Sequence, residues 1–334
     1  MYQPQSYAIA LLFMFTSMLC WGSWGNTVKL ARGWRFQLLY WDYTWGLVLG
    51  MLLWGYTLGN TNAGRLSFQH ALAAAGATHL LWALAGGALF NLANLLLVAA
   101  IEMAGLAVAF PIGIGLALVV GVLLNYAVAP RGNPWLLFGG VALVLAAIVL
   151  DALAYRRRDL ARSELRQTTL VRRGIMVSLA CGVLMGLFYP LVEKSMLGPG
   201  RLGPYAVGFV FSIGVLLSSF PANGLLMRYP LDGSAPVALA EYWRGGWGAH
   251  AAGVLGGVIW ATGGVFNFVA AHARLVGPAV SYAIGQGATM VAAVWGVFIW
   301  REFAGAPSRA TRLLGWMFAC FLLGLAAVAL APVL

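Results

Sequence analysis

Ten apolar stretches follow one another along this chain with short breaks, near 6–25, 37–58, 79–101, 105–128, 134–155, 174–193, 204–226, 248–271, 275–299 and 311–332. A helix needs roughly 20 residues to cross a hydrocarbon layer, and each stretch is long enough to do so. The chain therefore reads as an all-α membrane protein with ten transmembrane helices. With 62% hydrophobic and 9% charged residues it could not clothe a soluble core in polar surface. The longest connections, a basic run near 156–173 and a loop near 228–247, leave little room for a soluble domain. The first stretch lacks a basic leading region and a small-residue cleavage site, so it is kept as a span.

A formal charge of +11 would suggest nucleic acid in a soluble protein; in a membrane protein it first orients the chain, and no nucleic acid is expected. If the connections alternate between sides, one side holds Lys29, Arg32, Arg35, Arg156, Arg157, Arg158, Arg162, Arg166, Arg172, Arg173, Arg228, Arg244, Arg301, Arg309 and Arg312, which is fifteen. The other side holds five, Arg65, Arg131, Lys194, Arg201 and Arg274. Basic residues gather on the cytoplasmic side, which places both termini outside and the chain in the cell inner (cytoplasmic) membrane. The arginine cluster of "YRRRDLARSELRQTTLVRR" could also attract anionic lipid.

The stretch "GLAVAFPIGIGLALV" (105–119) aligns without a gap on "GPAVSYAIGQGATMV" (277–291), and seven of the fifteen positions are identical. The stretches before them agree in outline: Gly86-Gly87 then Phe90-Asn91, and Gly263-Gly264 then Phe266-Asn267. The fourth stretch thus matches the ninth. A five-helix unit is odd in number, so the second copy, 174–334, lies inverted relative to the first, 1–155, with the basic connection 156–173 between them. Secondary transporters are commonly built as inverted repeats, with the solute site near the midplane between the halves.

Gly113 and Gly115, like Gly285 and Gly287, fall near the middle of their stretches. Each glycine lowers helix stability by about 1 kcal/mol relative to alanine. Close helix packing is one use for them; the other is a loosened backbone that opens a cavity, as interrupted segments at matching positions do in transporters. Pro111, two residues before Gly113, favours the cavity-forming reading.

Gln286 lies about eleven residues into its stretch, with Tyr282 at i−4 and Thr289 at i+3 on the same helix face. An amide flanked by glycines is accessible and offers donors and an acceptor to a neutral polar solute; bonding between helices is the other use for such residues. Asn91, Asn94 and Glu102 form a similar stripe in the third stretch. Asn267 stands at the place matching Asn91. Trp21, Trp24 and Tyr189 are aromatic residues that could stack on a planar solute, or pack. Asp42 in "YWDYTWG" is an intramembrane carboxylate and hence a candidate for proton coupling; the alternative is an ion pair with Lys29, Arg32 or Arg35. Asp151, Glu193 and Glu302 each adjoin basic residues and read as interfacial ions.

Enzyme chemistry finds no support here. No Gly-Lys dipeptide exists, hence no Walker A loop, and HExxH and GxSxG are absent. Cys20, Cys181 and Cys320 lie in separate stretches, and His70, His79, His250 and His272 show no ligand spacing. No metal and no cofactor are expected.

Three segments carry a resemblance: "CWGSWGNTVKLARGWRFQLLYWDYTWG", "FNLANLLLVAAIEMAGLAVAFPIGIGLALVVG" and "GPAVSYAIGQGATMVAAVWGVFIWREF". With ten spans in two inverted halves, the chain resembles the drug/metabolite transporter superfamily, and within it the bacterial relatives of the ureide permeases and the glucose/ribose porters. The resemblance implies proton-coupled uptake of a small polar solute, a ureide or nucleobase such as allantoin or uracil in one family, a sugar in the other. The "WDY" at 41–43 resembles the acidic motif of the ureide permeases, which implies the proton role for Asp42, while their long central loop is here shortened to 156–173. The expectation is an importer in which Gln286, Tyr282, Asn91, Asn94, Asn267 and Thr289 bind the solute and Trp21, Trp24 and Tyr189 stack on it. A drug exporter of the same superfamily and a non-transporting scaffold stay open, as does a homodimer.

Overall fold

The computed structural model describes residues 1–61, 67–161, 168–273 and 275–334; Arg65, Arg162, Arg166 and Arg274 of the charge count lie outside them. Among the described residues the chain is helical and carries no strand. In order come α1 (Tyr7–Ser23), α2 (Asn26–Leu30), α3 (Phe36–Tyr56), α4 (Phe68–Ala73), α5 (Ala77–Ala104), α6 (Leu106–Val128), α7 (Pro134–Ala161), α8 (Thr168–Ser195), α9 (Pro204–Arg228), α10 (Trp247–His272), α11 (Pro278–Gly285), α12 (Ala288–Val294) and α13 (Ser308–Leu330). Proline opens α9 and α11, where its missing N–H has no helical partner to lose. Gly105 and Gly277, paired by the sequence repeat, precede α6 and α11 with φ of 81° and 93°, a left-handed conformation that a β-carbon disfavours.

Nine segments among the described residues are long and apolar enough to cross a membrane, counting α1 with α2 and α11 with α12 as one each. The chain is a multi-pass membrane protein. Of the ten stretches read from the sequence, the exception is α3, which has 21 residues but carries Gln37, Asp42 and Thr44 and is packed between α9 and α10. The basic connection is shorter than expected: α7 runs on through Arg156, Arg157 and Arg158, and α8 begins at Thr168. Arginine is a good helix former, so nothing stops the helices at the membrane surface.

Helix α5 packs along α8 and α9, α6 along α8, α3 along α10, α1 along α10 and α12, and α7 along α13. Two crossings bring backbones together at glycines. A β-carbon at Gly46 would sit 2.1 Å from the Val254 carbonyl oxygen, and one at Gly257 2.1 Å from that of Tyr43. The α5–α9 crossing repeats the arrangement, with Gly87 facing the Phe211 carbonyl at 2.1 Å and Gly214 that of Leu84 at 2.3 Å. In lipid, where apolar burial drives no association, such close approach supplies the packing that holds helices together.

Contacts between connections sort into two faces. On one, the Tyr2 N–H donates to the Leu58 carbonyl at 2.7 Å, Gly76 to Gly200 at 2.9 Å and Asn133 to Ala331 at 2.7 Å. On the other, Arg35 donates to the Ser234 hydroxyl and Lys29 to Glu302.

The two glycine-containing segments differ. Between α11 and α12 the helix is interrupted at Gln286-Gly287, where bonds of the i→i−3 type appear: Gly287 N–H to Ile284 O at 2.9 Å, Thr289 to Gln286 at 3.2 Å and Met290 to Gly287 at 2.9 Å. Helix α6 instead runs unbroken across Pro111, Gly113 and Gly115. A β-carbon at Gly113 would lie 3.3 Å from Leu97 and 3.5 Å from Cys181, and one at Gly115 2.9 Å from Leu145. Those glycines of α6 serve packing.

Candidate functional site

A cavity of about 490 Å³ opens among the helices. The loosened turn at Gln286 lines it, together with residues of α1, α2, α5, α6, α8, α10 and α12. Its aromatic surface comes from Trp21, Trp24, Phe90, Phe110, Phe188 and Trp260. Trp21 stacks on Trp260 with ring centroids 5.5 Å apart, and Trp260 lies 4.4 Å from Phe90. Such a wall offers flat faces to a planar solute, and a few polar groups fix its orientation.

The uncharged polar groups are Asn94, Gln286 and Thr289, and the charged side chains of Lys29 and Glu102 line the cavity as well. Asn94 donates from Nδ2 to the Tyr40 hydroxyl at 3.2 Å, leaving Oδ1 toward the cavity. Thr289 donates to the Gln286 carbonyl at 3.0 Å. The Gln286 side-chain amide, 9% exposed, makes no hydrogen bond to the described residues. A half-satisfied amide beside an open space is a group waiting for a partner.

Of the residues expected to meet a solute, Trp21, Trp24, Asn94, Gln286, Thr289 and the backbone at Gly285 line this cavity. Four others do not. Asn91 is buried in a network in which it accepts from Tyr40 at 2.8 Å and from Ser219 at 3.1 Å and donates to Ser218 at 2.9 Å. Tyr189 donates to Asn267 Oδ1 at 2.6 Å, and Asn267 donates on to Ser17 and to the Ser281 carbonyl. Tyr282 donates to the Ala117 and Met185 carbonyls, both at 3.3 Å, and turns toward α6 and α8. The stripe of Tyr282, Gln286 and Thr289 assumed an unbroken helix; the interruption divides it.

Cavity formation departs from expectation too. Neither Pro111, Gly113 nor Gly115 borders the cavity, where Phe110 and Ile114 stand instead. Gly285 accommodates Trp21, whose ring carbon Cζ3 lies 2.6 Å from where a β-carbon would be, and Gly287 makes room for Met18.

Asp42 is buried away from the cavity at the α3–α10 crossing. Its Oδ1 accepts from the Tyr242 hydroxyl at 2.6 Å, and its Oδ2 lies 2.9 Å from His250 Nδ1. Trp34 meets the His250 ring edge-on at 4.7 Å. Burial, then the bond to Asp42, raises the Tyr242 hydroxyl above its usual value, so it stays a donor at neutral pH. The ion pair considered for Asp42 does not form with Lys29 or Arg35, whose bonds go to Glu302 and to Ser234 and the Ala235 carbonyl. His250, 208 positions away, gave no sequence signal as a partner.

At the mouth of the cavity Lys29 meets Glu302 at 2.6 Å, Tyr155 donates to the same carboxylate at 2.7 Å, and Arg158 lies 3.6 Å away. Glu302 follows the π-helical turn Trp295–Ile299 that ends the ninth span. Burial alone would push this carboxyl up, but the bonds from Lys29 and Tyr155 and the charges of Lys29 and Arg158 outweigh it and hold the group below its ordinary 4.5. A carboxyl held down in this way stabilises the fold above that value and ceases to as pH falls through the lowered one. Thermal melts of the purified protein are expected to lose stability below pH 4.5, and Lys29→Met to shrink that loss. Parallel melts for both proteins at every pH sink the assignment.

Residues 39–169 match the family model described as Ureide permease. Over nearly its whole length the chain is similar to ureide permeases of Arabidopsis thaliana. Ureide permease 1 is 22% identical over 386 positions, covering 98% of this chain and 97% of the relative. Ureide permease 2 is 24% identical, covering 96% of each, and ureide permease 4 is 25% identical, covering 98% of each. A crystal structure titled only as that of a protein superposes with a TM-score of 0.60 at 20% identity, over 98% of this chain and all of that one, and shares the fold.

Proposed function

We propose that this chain, a relative of the ureide permeases along its length, is a secondary transporter that carries a small planar polar solute, a ureide or nucleobase such as allantoin or uracil, by alternating access. The likeness points to a transporter rather than an enzyme. One observation carries the assignment: a cavity with aromatic walls, lined also by the unpartnered Gln286 amide at an interrupted helix. Interrupted helices at the midplane are where secondary transporters hold their solutes.

Counting α3 as a span gives ten in two inverted halves. The packing supports this reading, because shifting each helix by five spans exchanges the crossings: α3 on α10 for α9 on α5, and α5 on α8 for α10 on α1. The shared left-handed glycines at 105 and 277 agree with it. The excess of basic residues on the face of Lys29 and Arg158 puts that face in the cytoplasm, so the cavity opens inward from the cell inner membrane with both termini outside. Asn94, Gln286 and Thr289 bind the solute and Trp21 and Trp24 stack on it. Asn91, Asn267, Tyr189 and Tyr282 hold the surrounding helices in register in this inward-facing form. A proton is the coupling ion. Asp42, bonded to Tyr242 and His250, ties α3 to the segment leading into α10 and lies outside the cavity.

The mainly apolar wall favours one second reading, an exporter with broad affinity. Uptake into proteoliposomes with an imposed proton gradient separates the two. Saturable accumulation of labelled allantoin or uracil, above ribose, glucose and rhamnose, with collapse of the gradient is the expected result. Uptake no faster than in protein-free vesicles, with movement of lipophilic cations instead, overturns the permease reading.

A further inference from the structure

Asp42 is shut off from the solute path by its partners, and Glu102, which lines the solute cavity, is exposed in the last turn of α5; a further carboxyl in the spans is buried beside that path. Asp151, in the second half of α7, is 6% exposed, and its Oδ1 has no hydrogen-bond partner. It borders an antechamber of about 400 Å³ that shares Gly22, Gly25, Lys29, Phe110, Thr289 and Ala292 with the solute cavity. The two chambers are therefore neighbours, and Thr289 lines both. Glu193 also has an unpartnered oxygen, but it stands at the opposite end of α8 and borders neither chamber.

The neighbours of Asp151 account for its state. Its own helix presents Tyr155 one turn on and Arg158 two turns on, α2 presents Lys29, and the turn after α12 presents Glu302. From α6 comes Phe110, and on α13, packed along α7, Arg309 and Arg312 are exposed at the protein surface. The cations are already engaged. Lys29 and Arg158 hold Glu302, Arg158 also holds Asp159 at 2.6 Å, and the Tyr155 hydroxyl goes to Glu302. A buried carboxylate oxygen without a donor carries the full cost of its lost hydration. With both cations committed to other acids, a proton is the ligand left to relieve it.

We infer that Asp151 carries the coupling proton in the solute path. One proton passes from hydronium at the open face to the carboxylate and later leaves to water at the other face; no other bond changes. The neutral acid tolerates closure of the antechamber, whereas the bare carboxylate resists it because closure removes its remaining water. The carrier then changes face when both solute and proton are aboard, which is what ties the two fluxes together. This inference rests on the permease reading above.

The test uses the full chain in proteoliposomes with labelled allantoin, reading driven accumulation and solute-for-solute exchange separately. A gradient of about one pH unit sustains about tenfold accumulation at one proton per solute. Asp151→Asn, which imitates the neutral acid, is expected to abolish that accumulation and flatten the pH dependence of exchange, while exchange at acidic pH stays within about twofold of the natural protein, since a fixed neutral carrier can still cycle loaded. Asp151→Glu is expected to recover accumulation. Full driven accumulation by Asp151→Asn overturns the inference and leaves the permease reading intact. Loss of exchange along with accumulation assigns Asp151 to structure and also overturns it. No allantoin exchange by the natural protein removes the permease reading and this inference with it.

Discussion

Gln286→Leu is expected to cut allantoin uptake by about 5- to 100-fold while the protein accumulates and melts as before. The side chain lines the cavity and makes no hydrogen bond within the described residues, so its removal costs the fold little. The solute, however, loses a donor and an acceptor in a desolvated place, a loss of about 1–3 kcal/mol, and a site built to hydrogen-bond a polar group discriminates strongly when that group has nothing to meet. Thr289→Val should cost much less, because the Thr289 hydroxyl is already spent on the Gln286 carbonyl. Initial rates across solute concentration, normalised to folded protein, read both effects. Unchanged uptake by Gln286→Leu removes this residue from the solute site.

Gly257→Val is expected to prevent stable folding. The new β-carbon would meet the Tyr43 carbonyl oxygen at 2.1 Å and the Leu47 nitrogen at 2.5 Å. Inserted bulk in a packed core costs about 1–3 kcal/mol when side chains can rotate aside; here the obstacle is backbone, which can yield only by separating α3 from α10. Gly139→Val provides the control, since a β-carbon there meets nothing within 4 Å. Heating detergent extracts and counting the fraction that stays monodisperse distinguishes them. Equal melts for the two variants contradict the close crossing.

Nine of the ten stretches were legible as spans because length and apolarity alone determine them, and the interruption at Gln286 was anticipated from its two flanking glycines. The same argument failed at Gly113 and Gly115. Glycine permits both a break and a close approach, and only the neighbours, Leu97, Cys181 and Leu145, decide which occurs. Helical spacing placed Asn94 on the right face, yet it could not tell that Asn91, three residues earlier, would be claimed by Tyr40, Ser218 and Ser219 from other helices. Trp260 and Phe90, two of the cavity's main surfaces, looked like any other apolar core residues. Asp151 was read as an interfacial ion from the arginines that follow it in sequence, but those are committed elsewhere or turned away.

The glycine crossings have a mechanical consequence. Moving α3 along α10 by one residue, about 1.5 Å, would carry a side chain into the place where Gly46 or Gly257 lets the backbones touch, and the same holds at Gly87 and Gly214 between α5 and α9. Neither joint can slide. Each takes one helix from the first half of the sequence and one from the second, so the four joined helices form a chassis drawn equally from both. The first and second halves of the chain are therefore not two separable parts, and any rearrangement of the helices around the cavity has to leave these joints in place.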